Sequence, residues 1–145
     1  MPNPRLIDNG DGTVIDNLTG LVWLKNANCF GLQTWSQSLL LALAMSDSDC
    51  GLADGSQAGD WRIPNIKELM SIVEYGKFDG QFATPQLPSG HPFSNVKVDG
   101  NTYWSSTSVT SFVDWTSAVT VDMRKGIAPL GGKVQSKYAW PVRDQ

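Results

Sequence analysis

Residues 59–69 read Gly59-Asp60-Trp61-Arg62-Ile63-Pro64-Asn65-Ile66-Lys67-Glu68-Leu69, and they carry the strongest folding signal in the chain. Pro64 disfavours the α conformation in the residue before it, so the chain arrives there extended. Asn65 is suited to cap a helix, and Glu68, three residues on, completes a capping box. The pattern therefore predicts a helix from Ile66 to about Tyr75, ended by Gly76.

Another helix is predicted earlier in the chain, where Thr34 and Gln37 form a second capping box. Its apolar residues recur at helical spacing, so one stripe of this helix is expected to face the core. The predicted stripe consists of Trp35, Leu39, Ala42, Leu43 and Ser46.

Turn residues divide the rest of the chain into short strands. Asparagine and glycine turns predict an antiparallel meander from Arg5 to Lys25. Further strands are expected at residues 103–107, 118–123 and 138–142. Because Pro141 has no amide hydrogen to donate, the last strand is expected to lie at a sheet edge or to end there.

The order of the elements predicts the fold class. Strands, two helices and strands again, without βαβ alternation, indicate an α+β fold with two helices packed on a twisted antiparallel sheet. A long irregular loop is expected from Lys77 to Asn101. The chain has 145 residues and is 41% hydrophobic, which predicts one domain over residues 1–145. Residues 39–45 are the longest apolar run, far below the ~20 residues that span a bilayer, so no membrane insertion is expected.

Charge is distributed unevenly along the chain, whose net charge is −3. Seven aspartates and a single base fall between Asp8 and Asp60, whereas five bases and no acid fall between Met123 and Arg143. Such a basic segment is suited to an anionic partner. The alternative is a solvated face that nearby aspartates neutralise. The candidate binding residues form two arms around a turn-rich segment expected to project from the sheet, and they are Arg124, Lys125, Lys133 and Lys137.

Cys29 and Cys50 are not spaced as a redox or zinc motif. Both fall in polar loops that flank the first predicted helix, which favours a disulfide between them. In the chain-entropy description, that bond would stabilise the fold by about 3 kcal/mol. Two buried free thiols are the alternative.

No arrangement of side chains points to catalysis or to a bound cofactor. His91 is the single histidine and lies in a turn, and the sequence has no Gly-x-Ser-x-Gly elbow, phosphate loop or dinucleotide fingerprint. Residues 8–12 do not match a calcium loop, because Ile7 would occupy its first ligand position. A calcium site in a later loop stays an alternative, with the candidate ligands Asp47, Asp49, Asp54 and Asp60.

The chain holds six tryptophans, which divide into two groups. Trp61 and Trp115 each follow an aspartate, and they are predicted to be partly buried or, for one of them, an exposed platform for a sugar ring. The remaining four alternate with their neighbours and are predicted to lie in the core: Trp23, Trp35, Trp104 and Trp140.

A set of motifs occurs in one order along almost the whole chain, at residues 8–25, 29–31, 50–56, 61–69, 87–93 and 103–106. Together they resemble the family named after the C-terminal domain of the Legionella collagen-like adhesin. The resemblance implies a C-type-lectin-like α+β fold, related distantly to formylglycine-generating enzymes. It also implies export and surface display.

The resemblance further implies a function, because the namesake domain binds sulfated polysaccharides and sits on a trimeric stalk. We therefore expect a non-catalytic recognition domain, secreted or at a cell surface, with the periplasm or a virion as alternatives. Its expected partner is an acidic polysaccharide or a cell-surface ligand, with a homotrimer as a further expectation and no nucleic acid. The first rival is a protein-binding or assembly module such as a fibre or phage receptor-binding subunit. A formylglycine-generating-type enzyme is the second.

The disulfide can be tested on protein from an oxidising compartment. Alkylation without reduction should label no thiol, because both sulfurs are expected to be bonded to each other. Intact-mass analysis measures the outcome. Two labelled cysteines in exported protein would contradict the prediction.

Overall fold

Short elements and tight turns make up the computed structural model, which describes residues 4–74, 84–111 and 115–145. In chain order its elements are β1 (Leu6–Asp8), β2 (Thr13–Asp16), β3 (Val22–Leu24), α1 (Trp35–Ala44), α2 (Ile66–Ser71), β4 (Tyr103–Ser108), β5 (Ser117–Val121), β6 (Leu130–Gly132) and β7 (Val142–Arg143). The predicted α+β class is confirmed. A single turn of 3-10 helix, Asp49–Gly51, follows α1.

The strands of the described residues form two antiparallel sheets, where one was predicted. The first has the order β1-β2-β3-β7 and the second has the order β4-β5-β6. The two sheets do not pair with each other. The amides of Trp104 and Ser106 in β4 donate instead to the carbonyls of Tyr138 and Pro64, which lie outside the strands. Strand β7 lies at a sheet edge directly after Pro141, as predicted, but it is shorter than the predicted strand.

Both predicted capping boxes are present. The Thr34 hydroxyl accepts from the amide of Gln37 at the start of α1, and the Asn65 side chain accepts from the amide of Glu68 at the start of α2. Helix α2 ends at Ser71, earlier than predicted, because the hydroxyl of that residue donates back to the Glu68 carbonyl and the chain then turns. Tyr75 and Gly76, the predicted end of this helix, lie outside the described residues.

Helix α1 buries a face centred on Ser38 and Ala42. The predicted stripe is therefore wrong at one position, because Leu43 is 52% exposed. The reason is that small residues face the core here, which lets α1 approach closely, while most of its leucines point outward.

Aromatic rings fill the core. Trp23, Trp104, Trp140 and Trp61 are fully buried, whereas Trp35 is only half-buried. The Trp61 indole also donates to the hydroxyl of Ser56. Three of the four predicted core tryptophans are thus confirmed as fully buried. Residues 59–69 thus bring Trp61 into the core just before α2 begins at Ile66.

The predicted disulfide between Cys29 and Cys50 is present, with 5.7 Å between the Cα atoms. It joins the segment after β3 to the 3-10 turn. A glycine lies beneath the same loop: a Cβ on Gly12 would come within 2.5 Å of the carbonyl oxygen of Gly51. The loop can therefore close over the β1–β2 turn only because residue 12 has no side chain.

A partly buried ion pair connects the first sheet to α2. Arg5 donates to both carboxylate oxygens of Asp16, at 2.9 and 2.8 Å, and to the carbonyl of Ser71. Burial disfavours the charged form of Asp16, but the Arg5 guanidinium and the Leu18 amide outweigh it and hold the pKa below its ordinary value. The pair therefore stabilises the fold only while Asp16 is ionised.

Replacing Trp61 should destabilise the protein strongly. Trp61→Ala removes a fully buried ring and leaves a cavity, so we expect a loss of about 3–5 kcal/mol in the free energy of unfolding. Asn65→Ala removes only a helix cap and should cost ~1 kcal/mol. Denaturant unfolding followed by far-UV circular dichroism measures both. Equal stability of Trp61→Ala and the wild type would contradict the buried position.

The Arg5–Asp16 pair predicts a loss of stability in acid. Because the folded pKa of Asp16 is lowered, its contribution is complete above the unfolded value of about 3.9 and is lost as the pH falls through the folded value. Asp16→Asn should lower the free energy of unfolding by about 3 kcal/mol at neutral pH. It should also reduce the further loss of stability as the pH falls towards about 2. Unfolding curves between pH 7 and about 2 measure it. If the stability of Asp16→Asn falls in acid as steeply as that of the wild type, the assignment is contradicted.

Candidate functional site

Two of the predicted cations, Lys133 and Lys137, lie against tryptophan rings. The Lys133 ammonium stands 4.3 Å from the ring centroid of Trp35, and the Lys137 ammonium stands 5.9 Å from that of Trp104. A cation is attracted to the electron-rich face of an aromatic ring. With Trp115, described below, these residues are named the Trp–Lys cluster.

Backbone hydrogen bonds bring the two halves of the cluster together. Gln33 and Lys137 exchange amide-to-carbonyl bonds, at 2.8 and 2.9 Å, and the amide of Trp35 donates to the carbonyl of Lys133. The indole of Trp104 donates to the carbonyl of Gln33. The start of α1 is thereby fixed against the segment that follows β6, and the two lysines share one region of the surface.

Gly131 makes room for the side chain of Lys137. A Cβ at residue 131 would lie 2.5 Å from Cε of Lys137 and 3.0 Å from Cγ2 of Thr120. The aliphatic part of Lys137 therefore crosses β6 over a residue that has no side chain. This path brings the ammonium group to the ring of Trp104.

Lys133 also contacts the residue that precedes β5 by two positions. Its ammonium donates to the carbonyl of Trp115 at 3.0 Å and to the hydroxyl of Ser108 at 2.6 Å. The Trp115 side chain is 65% exposed, whereas Trp61 is fully buried. Of the two tryptophans that the sequence offers as a sugar platform, the structure therefore exposes Trp115.

The other two predicted cations lie at the opposite end of the β5–β6 hairpin. Arg124 and Lys125 occupy its turn, which closes at the bridge between Asp122 and Ile127. Lys133 is six residues further along, roughly 20 Å of extended chain. The four cations therefore lie as two separate pairs at opposite ends of the hairpin. The segment between the arms does not project either, because it includes the sheet strand β6.

An aspartate lies beside the first basic arm, which consists of Arg124 and Lys125. Asp122 accepts from the Arg124 guanidinium at 3.0 Å and raises the pKa of Arg124 through that hydrogen bond. Asp122 stands immediately before the acid-free segment from Met123 to Arg143. Local neutralisation by an aspartate, the alternative reading of the basic segment, therefore applies to Arg124.

The aspartates proposed as calcium ligands accept hydrogen bonds that close their own loop. Asp47 accepts from the Gly55 amide, and Asp60 accepts from the Gln57 amide. Asp54 is bonded by Ser56 and Arg143. Within residues 4–74, 84–111 and 115–145, no three histidine, cysteine or acidic side chains are grouped closely enough to hold a metal ion.

His91 packs beside Phe93, with 5.8 Å between the ring centroids. Burial lowers the pKa of this histidine, because the charged form loses solvation. It follows the turn at Ser89 and Gly90, as the sequence predicts.

Residues 12–143 match the profile of one protein family, the Lcl C-terminal domain. The chain belongs to the Lcl C-terminal domain family. The match to the Lcl C-terminal domain spans the disulfide and every member of the Trp–Lys cluster, and it is consistent with an adhesin-associated domain. No curated protein sequence matches the chain. No helix among the described residues has the length and apolar character needed to cross a membrane.

Sequence reasoning missed the role of Trp35 in this site. Its position predicted a core residue, but the ring is half-buried and carries Lys133 on its face. The capping box at Thr34 fixes Trp35 in the first turn of α1, but its contact with Lys133 depends on the distant segment after β6. Ser108 had no signal in the sequence, because its contact with Lys133 depends on the pairing of distant strands.

Proposed function

We propose that this domain is a non-catalytic extracellular recognition domain that binds an acidic glycan at the Trp–Lys cluster. Trp115 is 65% exposed and its backbone carbonyl accepts from the ammonium group of Lys133, and this juxtaposition is the observation that carries the proposal. An aromatic face packs against the apolar face of a sugar, and ammonium groups pair with sulfate or carboxylate groups. One surface therefore supplies both kinds of contact that an acidic glycan needs.

The cluster is ordered before any ligand binds, which supports a binding role. An ammonium group has three donors, and among the described residues Ser108 and Trp115 accept two from Lys133. The same ammonium group also lies 4.3 Å from the centroid of the Trp35 ring, so it offers an anion its positive charge rather than a free donor. Because the lysine is already fixed, binding does not have to order that side chain.

The compartment and the absence of catalysis are part of the same proposal. The disulfide is compatible with an oxidising environment such as the cell exterior or the periplasm. It joins Cys29 to Cys50 across α1, and these residues are not the closely spaced pair of the formylglycine-generating enzymes. A C-type-lectin-like architecture is a further element of the proposal, supported by the α+β class and by the family resemblance.

A protein-binding or assembly module is the second candidate function. The specific observation in its favour is the apolar exposed side of α1, where Leu40 is 65% exposed. This surface is distinct from the Trp–Lys cluster, so the two functions can coexist in one domain.

Binding to a sulfated polymer tests the glycan proposal. Immobilised heparin should retain the wild type at about 50 mM salt and release it by ~0.5 M, since salt screens the attraction. Trp115→Ala and Lys137→Glu should each weaken binding roughly tenfold, about 1.4 kcal/mol. Trp115→Ala should leave the salt dependence nearly unchanged, because it removes a stacking contact and no charge.

Two control variants isolate the cluster. Lys67→Glu changes the net charge as Lys137→Glu does, but on an exposed position of α2, and it should alter binding little. Lys125→Glu tests the other end of the hairpin. Equal losses in all three charge variants would show attraction to overall charge rather than to the cluster. No retention at about 50 mM salt would contradict the proposal.

A further inference from the structure

A polar pocket of about 460 Å³ lies where the loop after α1 meets the end of β7. Its volume falls in the range of small-ligand sites, roughly 300–1,000 Å³. The pocket shares no residue with the Trp–Lys cluster. The residues of its lining that matter below are Asp54, Gly55, Gly59, Asp60, Arg143 and Asp144.

The guanidinium group of Arg143 is held in a fixed position in this pocket. Its Nε donates to Oδ2 of Asp54 at 3.2 Å, and its Nη1 donates to the carbonyl of Asp144 at 3.0 Å. The group also lies over the buried ring of Trp61, 5.4 Å from the ring centroid. A planar guanidinium that is stacked and hydrogen-bonded in this way is already ordered, so a ligand does not have to order it.

Asp54 balances the charge of Arg143 inside the protein. The Asp54 side chain is 1% exposed, and it accepts from the hydroxyl and the amide of Ser56. Burial disfavours its charged form, but the bonds from Ser56 and Arg143 outweigh burial and hold the pKa of Asp54 below its ordinary value. A ligand at Arg143 therefore does not need to bring a negative charge.

Donors and acceptors in the pocket remain available to a ligand. A guanidinium has five N–H donors, and no acceptor among the described residues contacts Nη2 of Arg143. Asp60 accepts from the Gln57 amide through Oδ2, whereas its Oδ1 has no donor in the described part of the chain. A Cβ at Gly55 or Gly59 would have no atom within 4 Å, so the backbone there is open to an approaching molecule.

The charges around the pocket select against an anion. Acidic side chains are in excess, because Asp54, Asp60 and Asp144 face only Arg143 and Arg62, the latter donating to Asp144 at 3.2 Å. A sulfate or carboxylate group would therefore be repelled. A hydroxyl group is uncharged and both donates and accepts, so it fits a pocket that offers an N–H donor and a carboxylate oxygen.

We propose that this pocket binds an uncharged sugar residue through neighbouring hydroxyl groups, which accept from Nη2 of Arg143 and donate to Oδ1 of Asp60. The site is separate from the Trp–Lys cluster, and its ligand carries no charge, unlike the acidic glycan proposed for that cluster. A single sugar makes few contacts, so the expected dissociation constant is about 1–10 mM.

Nuclear magnetic resonance of the ¹⁵N-labelled domain tests the proposal, with the methyl glycosides of glucose, galactose and mannose as probes. At least one glycoside, titrated to about 50 mM, should shift the Nε–Hε signal of Arg143 and the amide signals of Gly55 and Gly59. The indole signal of Trp115 should not move, because that ring belongs to the other surface.

Two aspartate variants form a matched pair. Asp60→Asn should raise the dissociation constant about tenfold, because a neutral acceptor bonds a hydroxyl less strongly than a carboxylate does. Asp47→Asn should leave binding unchanged: Asp47 is also exposed and also accepts from a loop amide, that of Gly55, but it does not line the pocket. Each variant keeps a side-chain oxygen for its loop amide, so the loop should stay closed.

Arg143→Lys tests the donor geometry. It keeps the positive charge but removes Nη2, so it should weaken binding at least about tenfold. Circular dichroism and thermal unfolding establish that the variant is folded, and the Asp60→Asn result stands if it is not. Retention on heparin should be equal for Asp60→Asn and Asp47→Asn, because each removes one negative charge outside the Trp–Lys cluster. The two binding proposals can therefore fail separately.

Three results would overturn the proposal. The first is that no glycoside shifts these signals by about 50 mM. The second is that Asp47→Asn weakens binding as much as Asp60→Asn does. The third is that sodium acetate shifts the Arg143 signal and the glycosides do not, which would assign the pocket to carboxylate ligands.

Discussion

The indole of Trp140 packs edge-on against Trp23, with 5.1 Å between ring centroids, and against Phe93 at 4.8 Å. It also lies 5.6 Å from the ring of Tyr103. These partners come from β3, from the long loop and from β4, so one ring contacts both sheets and the irregular chain between them. Its nitrogen donates to the carbonyl of Leu24, which fixes the orientation of the ring. Because the two sheets are separate, this aromatic contact is what makes them one core.

Local signals in the sequence predicted local structure well. The capping boxes at Thr34 and Asn65 are confirmed, because each partner lies only three residues away and no distant contact is needed to form them. The face that α1 buries was harder to predict. Leu43 has the chemistry of a core residue, but the core accepts Ser38 and Ala42 at that place, and only the tertiary packing decides between them.

The candidate site shows the same limit. A segment rich in bases was evident, but which bases share a surface depends on where the hairpin turns. Strand pairing closes the turn at Asp122, so Arg124 has an acid beside it, while Lys133 meets tryptophans contributed by distant parts of the chain. The exposure of Trp115 was likewise beyond sequence reasoning, because both Trp61 and Trp115 follow an aspartate and only one is buried.

The side chain of Lys137 reaches the ring of Trp104 by crossing β6 at Gly131, where a Cβ would lie 2.5 Å from Cε of the lysine. A larger residue at 131 would push the lysine off this path and move its charge away from the ring. A position with no functional group of its own therefore determines where a charge stands on the surface. Substitution there would alter the Trp–Lys cluster without removing any of its members.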